Sequence, residues 1–265
     1  EDRGVRRALV RGAAQRARLC AAQDNWLDPD YLEAYRLGLI APVVSHRLVA
    51  AHIVELAKKG SIKLPQRMLV LGAGPGFHVK AWYEEMERRS AADHGSDSGD
   101  GGSAGDSSRG RTPEFVELDI LPEVLNVDAK EEYRKGTVKI TADMRDIPDS
   151  VGTVDCIHCS SLNNLDPQDV CKTLESADWH LPIGGVLSLA VNKRIFSQDF
   201  VQEILRHGYR LVSGCTAKDI LSVPNGKDKA RSAKTHHLLF LKEKDGGAFP
   251  WNPNTVTWHF PIDTL

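Results

Sequence analysis

Three glycines at alternate positions, Gly72, Gly74 and Gly76, stand in the stretch LGAGPG directly after the apolar run MLVL. Glycine admits positive φ and close backbone approach, and a turn that opens a helix presents unpaired N–H groups. The chemistry available there is recognition of a polar group by main-chain donors. Spacing narrows which group. A phosphate-binding P-loop ends in Gly-Lys-Ser/Thr, and here Gly76 is followed by Phe77 and His78. A dinucleotide turn places its third glycine one position later, where this chain has Phe77, and a phenyl ring there would crowd a pyrophosphate.

A second chemical group is an acid at the end of the next strand. Asp119, in VELDI, lies 43 residues beyond Gly76. Between them, 90–112 holds 23 residues with six Ser, six Gly, four Asp and no Val, Leu, Ile or Phe. Such a segment cannot bury enough surface to offset chain entropy, so it reads as a disordered surface insertion. Without it, about twenty residues separate Gly76 from Asp119, the spacing of an acid that accepts from ribose hydroxyls. Glu117, two residues earlier on the same strand face, is the fallback for that role. Cys156 and Cys159 form a single C-x-x-C. No second pair completes a zinc site, and residues three apart on a strand point to opposite faces, so no metal site is read from them.

The elements that must position these residues follow from period and punctuation. Strands are expected at 67–71, 114–120, 137–144, 153–160, 184–191, 209–215 and 235–244. Helices are expected at 77–89, from Pro122 to a stop at Gly136, from Asp166-Pro167 with Val170, Leu174 and Ala177 on one face, and at 196–208 with Phe200, Val201, Ile204 and Leu205 inward. Strands alternating with helices predict an α/β fold: a doubly wound, mostly parallel seven-stranded sheet. The last two strands, with only a polar turn at 222–234 between them, predict an antiparallel edge strand. In such a sheet, ligands bind beyond the carboxyl ends of the strands, where the glycine turn falls.

With these elements in order, the chain resembles the class I S-adenosylmethionine-dependent methyltransferases. The resemblance rests on LGAGPG, VELDILPEVLNV, TADMRDIP, VGTVDCIHCSSLNNL and ADWHLPIGGVLSLAV, and covers about 67–242. It implies S-adenosyl-L-methionine as cofactor. Gly72, Ala73, Gly74 and Gly76 would cradle its amino-acid part, Asp119 would hold its ribose, and Ile120 beside it would also contact the cofactor. Asp143 would meet the adenine amino group, Met144 would pack on the ring, and Cys159 would lie beside the transferable methyl. His158 is the candidate catalytic base by position, with His78 and His180 behind it. The acid often found two residues before the first glycine is replaced by Val70. The planar-amine signature of adenine methyltransferases and the proline-cysteine nucleophile of the cytosine enzymes are absent, which disfavours base-methylating chemistry on DNA.

The rest of the chain sets the frame. A net charge of −2 over 265 residues gives no general reason for nucleic-acid or membrane binding. No apolar run reaches the ~20 residues needed to cross a bilayer. Residues 1–25 form an Arg-rich arm, with six arginines in the first 18 positions. That composition suits an RNA-binding arm or an organellar transit sequence, and the reading favoured is a solvated helical arm. Residues 26–66 read as a helical N-terminal extension in which Trp26, Tyr31 and Tyr35 would act as a lid, 67–243 as the main domain, and 244–265 as a tail with Trp251 and Trp258. Five thinly spread cysteines point to an intracellular, reducing compartment, cytoplasmic or organellar. The expected activity is methyl transfer to a small molecule, an RNA or a protein. The other reading is a methyltransferase-like domain that has become a binding or assembly module, as in a ribonucleoprotein.

Overall fold

The structure, a computed structural model, describes residues 43–94, 112–126, 131–160, 162, 165–192, 197–220 and 232–246. The Arg-rich arm, the lid aromatics Trp26, Tyr31 and Tyr35, most of the insertion, and Trp251 and Trp258 of the tail lie outside the described residues.

The described chain runs α1 (Val43–Lys58), β1 (Arg67–Leu71), α2 (Phe77–His94), β2 (Glu114–Asp119), α3 (Pro122–Asn126), β3 (Val138–Thr141), β4 (Cys156–Cys159), α4 (Pro167–His180), β5 (Val186–Asn192), α5 (Gln198–Arg206), β6 (Tyr209–Ile220) and β7 (Ser232–Lys242), with short 3₁₀ turns at Glu132–Arg134 and Asp149–Val151. The seven strands form one sheet in the order β3-β2-β1-β4-β5-β7-β6. β3, β2, β1, β4 and β5 are mutually parallel, and β7 is antiparallel to both β5 and β6.

The antiparallel strand therefore lies one position in from the edge, and β6 forms the edge. Side-chain pattern explains the order. The run HHLLF of β7 is buried at every position, which suits a strand covered on both faces, whereas Leu211 of β6 is exposed. Chain order alone would have put the later strand outside.

Two apolar layers sandwich the sheet. On one face, Leu69, Leu71, Val116, Leu118, Ile157 and Leu189 meet Val170, Leu174 and Ala177 of α4 and Phe200 and Ile204 of α5. On the other, Met68, Val70, Phe115, Cys156 and Leu239 meet Val49, Ile53 and Val54 of α1 and Val79, Trp82 and Met86 of α2. The alternation of neighbouring residues between layers is the strand period of two, and burial of both sets is why the central strands read as continuous apolar runs.

The helix starts carry their expected chemistry. Asp166 caps α4 by accepting from the Asp169 N–H at 2.9 Å, with Pro167 at the first helical position. Ser197 caps α5 in the same way through Phe200 N–H at 3.0 Å. Two segments differ from the sequence expectation. Helix α2 continues to His94, five residues into the stretch read as insertion. Helix α3 is described over Pro122–Asn126, and Glu131 is extended before the 3₁₀ turn Glu132–Arg134, so no single helix runs to Gly136.

Candidate functional site

β1 ends at Leu71 and the chain turns through Gly72, Gly74 and Gly76 at φ of 64°, 56° and 83° before α2 begins. All three values lie in the left-handed region that a Cβ disfavours, so the alternate spacing of glycines is what lets the turn fold back on itself. The Ala73 N–H donates to Leu118 O at 3.1 Å, and Gly76 O accepts the Lys80 N–H at 3.0 Å as the first turn of α2 closes. The turn is thus fastened to the carboxyl end of β2.

Asp119 completes that fastening. Its Oδ2 accepts the Gly74 N–H at 3.0 Å, and its Oδ1 accepts the Leu121 N–H at 3.1 Å. The carboxylate is only partly buried, and each oxygen retains a further lone pair for a hydroxyl donor. Ile120, the next residue, is 58% exposed, an apolar side chain left open at the same strand edge. This is a place where an apolar ring and a neighbouring diol would both find partners.

Glu117 has a different task from the fallback role read from its strand face. It is fully buried, and Arg134 donates to its Oε2 through Nη2 at 2.7 Å and Nε at 3.2 Å. Arg134 comes from the 3₁₀ turn Glu132–Arg134, and the Thr137 hydroxyl lies 3.2 Å from the same carboxylate oxygen. Burial pushes the Glu117 carboxyl up from its ordinary value, against the pull of Arg134 and Thr137. This ion pair lies directly against the glycine turn. A Cβ on Gly76 would stand 2.7 Å from Arg134 Nε and 2.9 Å from Glu117 Oε1.

Asp143 follows β3, and its carboxylate accepts from Arg145 Nε at 2.9 Å and from the Arg145 backbone N–H at 2.9 Å. Arg145 also reaches Asp169 Oδ2 at 2.8 Å. The Arg145 side chain holds the Asp143 carboxyl below its ordinary value. Met144 is partly buried against the α4-side core. Cys159 is buried in that same core layer, with Leu71, Ile157 and Leu189, at the last residue of β4.

The candidate base, His158, lies in a buried cluster behind the glycine turn. It is 1% exposed, with His78 at 2% and His46 at 6%. The His78 and His158 rings stack at 3.9 Å between centroids and 6° between planes, and His46 approaches both edge-on at 5.6 and 6.1 Å. His158 Nδ1 is 2.9 Å from the Ser188 hydroxyl on β5, and His78 Nε2 accepts from the Trp82 indole N–H at 3.1 Å. Burial first, and then the neighbouring imidazoles, push His78 and His158 well below the ordinary histidine range, so both are neutral at pH 7. His180 is elsewhere: its ring meets the carbonyls of Gly152 and Ile147 at the amino end of β4.

Sequence reading looked for metal ligands in the cysteines. Cys156 and Cys159 fall in opposite core layers, as their spacing requires. The histidine cluster and the Glu117–Arg134 pair were not foreseen. His78 and Trp82 are four apart on one helix face, a signal visible in sequence, but nothing local places α1 against that face.

The sequence matches no protein-family model and no curated protein. Solved structures do resemble the fold. One is an S-adenosylmethionine-dependent methyltransferase from Clostridium acetobutylicum ATCC 824, at a TM-score of 0.50 and 12% identity, spanning 74% of this chain and 91% of that one. A second is the N-methyltransferase NodS from Bradyrhizobium japonicum WM9, at 0.50 and 10% identity over 75% and 96% of the two chains. TehB from Haemophilus influenzae gives 0.50 and 13% identity over 72% and 62%. At such identities the likeness is one of fold alone. The chain has the Rossmann-like fold of class I S-adenosylmethionine-dependent methyltransferases.

Proposed function

We propose that this chain is an S-adenosylmethionine-dependent methyltransferase that holds its cofactor across the carboxyl ends of β1, β2 and β3. The observation that carries this reading is the Asp119 carboxylate joined to the Gly74 N–H, beside the exposed Ile120. Main-chain groups of Gly72, Ala73, Gly74 and Gly76 face the amino-acid part of the cofactor. Asp119 accepts from the ribose hydroxyls, and Ile120 covers the adenine. Asp143, Met144 and the main chain of Cys159 border the remaining edge. The cofactor supplies an activated methyl group on a sulfonium. The protein's part is to align an acceptor with that carbon and keep water out.

Calorimetry tests the reading directly. The folded full chain should bind S-adenosylmethionine at micromolar concentration, Gly74→Val should abolish binding, and Asp119→Ala should weaken it. A folded wild-type chain that binds neither S-adenosylmethionine nor S-adenosylhomocysteine would defeat it.

Two further features belong to the same proposal. The arginines of the first 18 residues favour an RNA partner, to be tested by salt-dependent RNA binding that disappears on their deletion. Cys156, Cys159 and Cys171 are buried thiols without disulfides, which suits a reducing intracellular compartment. Among the described residues, no helix is long and apolar enough to cross a membrane.

A further inference from the structure

We propose that His46, His78 and His158 form a binding site for a divalent transition-metal ion of the zinc type. The three side chains come from α1, the first turn of α2 and β4, and one ligand atom from each lies within 4.8 Å of the others. All three are buried. His78 Nδ1 and His158 Nε2 are buried without a hydrogen-bond partner. With Nδ1 on the Ser188 hydroxyl, His158 Nε2 can offer its lone pair to an ion directly, and His78 Nδ1 can do so once its proton moves to Nε2.

The chemistry of the donor set fits. Metals take the lone pair of an imidazole nitrogen, and these three rings are buried together from three different elements. Three nitrogen donors suit zinc and its neighbours, whereas calcium and magnesium require oxygen. The Ser188 hydroxyl on His158 Nδ1 is the outer partner that orients a ligating ring and leaves its Nε2 for the ion. Three histidines leave a fourth position for water, as in zinc sites that are open to a substrate.

The same geometry states what uptake must change. Two parallel rings 3.9 Å apart cannot aim in-plane lone pairs at one point, so the His78–His158 stack must splay. The Trp82 indole can only donate, so it marks His78 Nε2 as unprotonated and Nδ1 as the N–H. Coordination through Nδ1 moves that proton to Nε2, which then cannot accept from the indole. Metal uptake therefore releases the Trp82 N–H. The structure shows the closed, stacked arrangement, and the ion would hold the splayed one.

The inference does not rest on the methyltransferase reading, and its test omits S-adenosylmethionine. The metal-stripped full chain is dialysed against zinc, and cobalt is used as a spectroscopic substitute. The expected result is one zinc per chain, with tetrahedral cobalt absorption lacking thiolate charge transfer. His46→Ala and His158→Ala, each checked for native circular dichroism, should bind about 100-fold or more weakly. Ser188→Ala should bind roughly 10–100-fold more weakly, the scale of losing an outer partner. Tryptophan fluorescence should change on zinc addition in the wild type and less so in Trp82→Phe. Failure of the wild-type chain to take up zinc overturns the assignment. So does unchanged affinity in folded His46→Ala and His158→Ala, which would place the ion on other histidines, or a thiolate band, which would place it on cysteine.

Discussion

The Asp119 carboxylate accepts the Gly74 N–H at 3.0 Å, joining the end of β2 to the glycine turn across 45 residues of sequence. The acid thereby shapes the turn as well as facing the strand edge. Charge-assisted hydrogen bonds of this kind contribute about 1.5–3 kcal/mol each. Asp119→Ala should therefore weaken S-adenosylmethionine binding by roughly 10–100-fold in calorimetry. Asp119→Asn retains an acceptor oxygen and should lose less. Equal binding by wild type and Asp119→Ala would remove the acid from the site.

Gly76→Ala and Gly60→Ala separate space from conformation. Both glycines have positive φ, but a Cβ on Gly60 meets nothing within 4 Å, whereas on Gly76 it meets Arg134 and Glu117 inside 3 Å. Gly60→Ala should cost about 1–2 kcal/mol, the left-handed penalty alone. Gly76→Ala should cost about 3 kcal/mol or more, because the ion pair must also shift. Urea denaturation gives both values, and similar losses at the two sites would contradict the packing described here.

The Glu117–Arg134 pair is fully buried, so removing one partner strands the other charge. Arg134→Met should destabilise the chain by about 3–5 kcal/mol, and the double variant Glu117→Leu/Arg134→Met should recover much of the loss. The recovery is the informative measurement. A double variant no more stable than Arg134→Met would show that the pair's hydrogen bonds, and not the stranded carboxylate, dominate.

Stability of the metal-free chain should fall as pH drops below about 6.5. His78 and His158 are pushed well below that value in the fold, whereas in the unfolded chain they titrate near it. Below it the unfolded state binds more protons, so acid favours unfolding, by about 1.4 kcal/mol per pH unit for each histidine. Glu117, raised by burial, takes up its proton more readily in the fold and opposes the trend. Comparing wild type with His158→Gln cancels that contribution. Chemical denaturation between pH 5.5 and 7.5 in the presence of a chelator should give a shallower dependence for the variant, and identical slopes would place the titration elsewhere.

How much of this was legible from the residues alone follows from the range over which each feature is encoded. The alternate glycines, the Asp166 cap, the burial stripe of α4 and the apolar runs of β1 and β5 are written within a turn or two of chain, and the structure has them where period and punctuation put them. The C-x-x-C spacing likewise settled that Cys156 and Cys159 face opposite layers. Tertiary structure decided the rest. The place of β7 inside β6 depends on which strand can be covered on both faces. The pairing of Glu117 with Arg134 depends on where a 3₁₀ turn lands after a helix shorter than its sequence suggested. The meeting of His46, His78 and His158 depends on three elements crossing at one point. Local periodicity states which face of each element turns inward, but partners across the core are chosen by the sum of many packing interactions between distant segments, and no short window of sequence contains that sum.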